Sequence, residues 1–245
     1  KQEDSVRNGY IATFMGRVQA RELAERCNLD TTAVISYIAK SEGNWREIST
    51  FIERNKNDLR VLQMLSTLSD KDLRDTPADI LQNHLDNVPQ YDKSSGYTMD
   101  LYVKGILAPR VLYEKIRPWR LNLREKFTAF FGESPDAEKI QEWVAKNIKI
   151  DKDQNYPRCP ISPEGVGKVL IADKVSRDIF YVALCRSFGI PAVIDPATMS
   201  VKVFRNNSWS NVSFDVGSIR KKNVKDIISL NEPTEKIPQY LSNYT

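Results

Sequence analysis

Apolar positions over residues 17–88 recur at the spacing of one helix face after another. Val18, Leu23, Ala24 and Cys27 make a first short stripe within 17–28. Asp30 or Thr31 stands where an N-cap belongs, with Val34, Ile35, Ile38 and Ala39 inward, and Ser41 with Gly43 ends that helix. Trp45, Ile48, Phe51 and Ile52 form the next stripe. Asp58 starts another, with Leu59, Leu62, Leu65 and Leu68 at helical spacing. Thr76-Pro77 has the form of a cap followed by proline at the first helical position. It opens a helix over 77–87, with Ile80, Leu81, His84, Leu85 and Val88 on one side.

The texture changes over 90–105, where polar and small residues predict a surface loop. Helices resume at 119–131 and 135–148, the second opened by Ser134-Pro135 with Ile140, Trp143, Val144 and Ile148 inward. Pro157, Pro160, Pro163, Gly165 and Gly167 predict a long loop over 155–167. From Asp173 to Phe188 the pattern is helical again, with Phe180, Ala183, Leu184 and Phe188 facing the core and Gly189 ending it. Strands follow at 190–194, 200–205 and 209–214, the last two joined by Asn206-Asn207, a hairpin turn pair. The fold class is therefore α+β: a helical subdomain over 1–130, a mixed core over 131–216, and a polar stretch over 217–245. That last stretch reads as a linker or the start of a further domain.

The run from Asp178 to Ala192, with Arg186 followed by Gly189-Ile190-Pro191-Ala192, resembles the core of the transglutaminase-like superfamily. The hairpin running from Val201 to Trp209 adds to the likeness. That family shares its fold with papain-like cysteine proteases and peptide N-glycanases. The resemblance implies one central helix packed on a small antiparallel sheet. The helical first half, with Pro109-Arg110 ahead of the core, is similar to a group of bacterial exported proteins carrying this domain. Family chemistry needs a cysteine at the helix start, where the dipole and a histidine stabilise its thiolate. The positions matching the family cysteine, histidine and acid are Lys174, Thr198 and Ser213, with Asp215 close to the last. None of the three can do the work of the residue it replaces, and no histidine occurs between 85 and 245.

The expected function is a catalytically inactive transglutaminase-like module with a binding or structural role in an exported protein. Its cleft would be built from Lys174, Ser176, Arg177, Thr198, Trp209 and Asp215. The ligand would be a peptide, protein or glycan. Lys174 sets a positive charge at a helix N-terminus, which favours an acidic group. The alternative is an active cysteine peptidase or transglutaminase-type acyl-transfer enzyme with a displaced nucleophile.

Composition narrows this further. The 245 residues carry 36 basic and 32 acidic side chains, a formal charge of +4. The two signs are interspersed, unlike the stripe of a nucleic-acid binder. Arg220-Lys221-Lys222 with Lys225 reads as a solvated loop. No apolar run is long enough to span a bilayer. The resemblance to exported proteins implies a cell-envelope or periplasmic location, an expectation that fits a chain beginning at Lys1 rather than Met, as after removal of an export or lipid-anchor signal. Three scattered cysteines and one histidine leave no motif for a metal site, and no cofactor is expected.

The remaining residues of interest have plain structural readings. Cys185 is a core filler, and Cys159 beside Arg158 is a thiol without a base. Ser176 has only Lys174 as a conceivable base. Arg177 and Asp178 are expected to pair and hold the helix start to the hairpin, and Trp209 to pack over the helix as core. His84 reads as a satisfied structural histidine. Asp70, Asp72 and Asp75 with Lys71 and Arg74 read as a solvated, charge-balanced turn.

Overall fold

The computed structural model describes residues 2–151, 153, 155 and 159–214. Asp215 and the 217–245 stretch lie outside them. In chain order the helices are α1 (Gln2–Ile11), α2 (Arg17–Cys27), α3 (Thr31–Ser41), α4 (Trp45–Arg54), α5 (Arg60–Leu65) and α6 (Asp70–Asp75). They continue with α7 (Ala78–Asp86), α8 (Met99–Tyr102), α9 (Arg120–Phe131), α10 (Ala137–Asn147), α11 (Pro163–Val169) and α12 (Lys174–Ser187). Strands β1 (Lys149–Ile150) and β2 (Ile171–Ala172) pair in parallel. β3 (Ala192–Ile194), β4 (Val201–Arg205) and β5 (Ser208–Asn211) form an antiparallel sheet in that order. The class is α+β.

Local chemistry explains most of the boundaries. Asp30 caps α3 by accepting from the Ala33 amide at 2.7 Å, and Asp136 caps α10 through Lys139 at the same distance. Asp173 caps α12. Asn206 and Asn207 both take left-handed φ, 48° and 60°, as a two-residue hairpin requires. β4 alternates accordingly: Val201 and Val203 are buried, while Lys202 and Phe204 are not.

Several expectations need correction. Val18 and Leu59 lie outside, at 67% and 65% exposure. α5 instead buries Val61, Met64 and Leu65, because the helix starts after Asp58 has turned its carboxylate onto the Arg60 amide. The stretch after Tyr97 is not a loop: Thr98 caps α8, and the chain runs on through a π-helical turn at Val103–Leu107. The 155–167 loop likewise contains α11, opened by Ser162 with Pro163 behind it. Its Gly167 sits where an added Cβ would touch Leu123, Phe127 and Phe180.

Buried apolar side chains form two clusters. One runs from Ala20 to Ile116, the other from Trp119 to Val203 around α12. α9 contributes Leu123, Phe127 and Phe131 to the second cluster, although the sequence division at 130 assigns it to the first half. The charged turn at α6 is also not wholly solvated. Asp72 is 1% exposed, and Arg110 Nε lies 2.8 Å from both of its oxygens. The glycine of the π-helical turn, Gly105, packs directly on Pro191: an added Cβ would stand 2.9 Å from the proline Cβ. The Gly-Ile-Pro-Ala stretch thus abuts the last helical turn of the first half.

Candidate functional site: the cleft at the start of α12

The N-terminus of α12 is built around Asp173. Its carboxylate accepts from the Ser176 amide at 3.0 Å, the Ser176 hydroxyl at 2.6 Å and the Asn155 amide at 2.6 Å. Burial alone would raise this carboxyl; the hydrogen bonds outweigh it and hold it below its ordinary range. Ser176 is fully buried and also accepts from the Ile161 amide at 2.9 Å. It is a cap brace, not a cleft residue, and cannot serve as a nucleophile.

Beside this cap lies a cleft of about 360 Å³ between α12 and the hairpin. Lys174, Arg177, Asp178, Ser200, Val201 and Ser213 are among its lining residues. Arg177 donates from Nε and Nη2 to one oxygen of Asp178, at 3.0 and 2.8 Å. Its guanidinium also lies 4.2 Å over the ring of Phe214, so the helix start is tied to the segment that follows β5, while the Arg177–Asp178 pair itself stays within α12. Asp178 is 6% exposed. Burial raises its carboxyl above the ordinary range, against the pull of Arg177 and Lys174. Lys174, at the first turn, is exposed to solvent.

Of the expected cleft residues, Lys174 and Arg177 come together, and Ser213, the position matching the family acid, joins them. Thr198 does not join them. It sits in the exposed turn closed by Asp195, where its amide donates to the Asp195 carboxylate and its hydroxyl pairs with Ser200 at 2.7 Å. Trp209 does not join them either. It is 42% exposed on the outer side of the hairpin, edge-on to Phe204 at 5.6 Å, and so is not the core residue expected. Asp215 lies outside the described residues. Asp178, a buried acid facing the cleft, enters the site in addition to the expected set.

The possible nucleophiles and bases lie elsewhere. Cys27 and Cys185 are buried, and burial raises both thiols, Cys185 to about 12. Cys159 is exposed. His84 is fully buried in α7, with Nδ1 accepting from Arg120 Nε at 3.0 Å and Nε2 donating to the Arg117 carbonyl at 2.9 Å. Because arginine can only donate, Nε2 must carry the proton. Both nitrogens are engaged, as a structural histidine requires. Among the described residues, no three His, Cys, Asp or Glu side chains converge as a metal site. No described helix is long and apolar enough to cross a membrane. Compared with protein-family models, curated proteins and solved structures, the chain gives no significant match.

Proposed function

We propose that this chain is a transglutaminase-like module without acyl-transfer chemistry, which holds an acidic group of a peptide, protein or glycan in the α12 cleft. The observation that carries the reading is the pairing of an exposed Lys174 with Arg177 and Ser213 around one concavity that contains no thiol or imidazole. Lys174 stands on the first turn of a fourteen-residue helix, where the backbone dipole adds to its charge. Arg177 is already committed to Asp178, so the incoming carboxylate meets Lys174 and the adjacent Ser213. An exported location in the cell envelope or periplasm belongs to the same proposal.

The test is a thermal-shift series with glutamate-rich peptides and uronic-acid oligosaccharides, run on the parent and on Lys174→Glu. A ligand that binds only the folded state raises the melting temperature by mass action. The reading expects at least one acidic ligand to raise it in the parent and to lose that effect in Lys174→Glu. Shifts identical in both proteins would overturn it.

A further inference from the structure

A second polar concavity, of about 400 Å³, lies between the segment leading into α9 and helix α11. Residues 115–118 lie outside any helix or strand. Ile116 is buried in the core while its neighbours Lys115 and Arg117 are exposed, and both cations line the concavity. Pro118 keeps Arg117 out of the helical region. The segment is pinned from behind by the hydrogen bond from buried His84 to the Arg117 carbonyl. The opposite wall is α11, with Lys168 in its last turn. That wall is fixed too: Lys126 donates to the Gly167 carbonyl at 2.6 Å, and the Ile161 amide donates to buried Ser176.

Lys115, Arg117 and Lys168 all line this concavity, and none forms an ion pair among the described residues. The one carboxylate in the lining, Glu164, is engaged by the Asn122 side-chain amide. Three cations from two walls therefore share this concavity with one acid, Glu164, and Lys115 also acts on the Asp75 carboxylate from its other side. A concavity whose lining carries a net positive charge concentrates anions.

We propose that this concavity is a binding site for a multiply charged phosphate of the pyrophosphate kind, carried by a soluble small molecule. With Glu164 counted, the three cations leave a net lining charge of two, which a single carboxylate would only half compensate. A diphosphate offers an oxygen to each wall at once, with the planar fork of Arg117 suited to one phosphate and the two lysines acting as point charges on the other. This inference is independent of the α12 cleft.

The experiment is isothermal titration of the 245-residue chain with inorganic pyrophosphate and with inorganic phosphate, repeated on Arg117→Gln, Lys168→Gln and Lys174→Gln. Both targeted side chains are exposed and stand on opposite walls, so each variant tests the site separately. The expected result is saturable binding at one site, with pyrophosphate about tenfold or more tighter than phosphate. Affinity should fall about tenfold in Arg117→Gln and in Lys168→Gln, and stay unchanged in Lys174→Gln. No saturable binding would overturn the proposal. So would loss of binding in Lys174→Gln alone, which would put the ion in the α12 cleft. Co-sedimentation with anionic phospholipid vesicles, with no binding of soluble pyrophosphate, would overturn it as well.

Discussion

Arg120 and Arg186 meet at one atom. Nη2 of Arg120 and Nη1 of Arg186 both donate to the carbonyl oxygen of Ala108, at 3.1 and 2.9 Å. Both side chains are buried, and neither forms an ion pair among the described residues. Backbone takes most of their hydrogen bonds: Arg120 reaches the carbonyls of Ile106 and Leu107, and Arg186 those of Lys104, Arg110 and Ala192, while the buried Glu114 carboxylate also acts on the Arg186 charge. The carbonyls of Lys104, Ile106, Leu107 and Ala108 stand at the end of the α8 helical run, where the backbone dipole favours cations. Because α9 and α12 belong to the second core, that core grips the last turn of the first through two guanidinium groups.

Removing one of them should therefore cost more than a surface charge does. Arg186→Met leaves the carbonyls of Lys104, Arg110 and Ala192 without this donor, while Ala108 keeps that of Arg120, and a buried polar group left unpaired costs about 1–3 kcal/mol. The expected loss in urea denaturation is on the order of 3 kcal/mol or more. Arg186→Lys should not restore it, because an ammonium lacks the planar fork that spans these oxygens. Full stability in Arg186→Lys would contradict the clamp.

His84 should make the protein acid-sensitive. Its imidazole is held well below the usual 6.5, first by burial and then by the charge of Arg120. A base with a lowered folded pKa stays neutral in the native state while the unfolded chain takes up a proton. Stability is thus unaffected by this group above the unfolded value of 6.5, and is lost as pH falls below it, by about 1.4 kcal/mol per pH unit. Unfolding free energies of the parent and His84→Gln, compared between about pH 7 and about pH 5, should diverge in slope. Parallel pH profiles would exclude this role.

Asp72 and Arg110 link α6 to the segment ahead of α9. Asp72→Asn leaves a largely buried guanidinium without its counter-charge and is expected to cost about 3 kcal/mol. Replacing both, as Asp72→Leu with Arg110→Met, should recover most of that loss, since an apolar pair of similar bulk carries no desolvation cost. Chemical denaturation of the two single variants and the double variant measures this directly. Additive losses would mean that the two side chains act independently.

What could be read from the chain was local. Helix α12 announces itself through Asp173 in front and Gly189 behind, and the hairpin through Asn206-Asn207. Arg177 and Asp178 are adjacent, so their pairing was readable too. What escaped depends on partners far along the chain. Asp72 sits among charges that suggest solvent, but its partner is 38 residues away. The helical run over 98–107 contains a glycine and a polar approach; it persists because Arg120 and Arg186 take up its carbonyls and Gly105 fits against Pro191. α11 carried a usable signal in Ser162-Pro163, of the same form as Thr76-Pro77, masked by its neighbouring prolines and glycines. Trp209 reads as core from sequence but lies outside, because a hairpin residue's face depends on register: Trp209 opposes Phe204, on the outer side.

The central claim is that the α12 cleft binds and does not catalyse acyl transfer, and thiol reactivity tests it most directly. The measurement is iodoacetamide labelling of the native protein from about pH 5 to about pH 9, with each cysteine followed by mass spectrometry. With Cys27 and Cys185 buried and both thiols raised by burial, neither should label until the protein is unfolded, and no cysteine should label rapidly near pH 6. Fast labelling of any one of the three at about pH 6 would reveal a thiolate stabilised by its surroundings, and would contradict the claim.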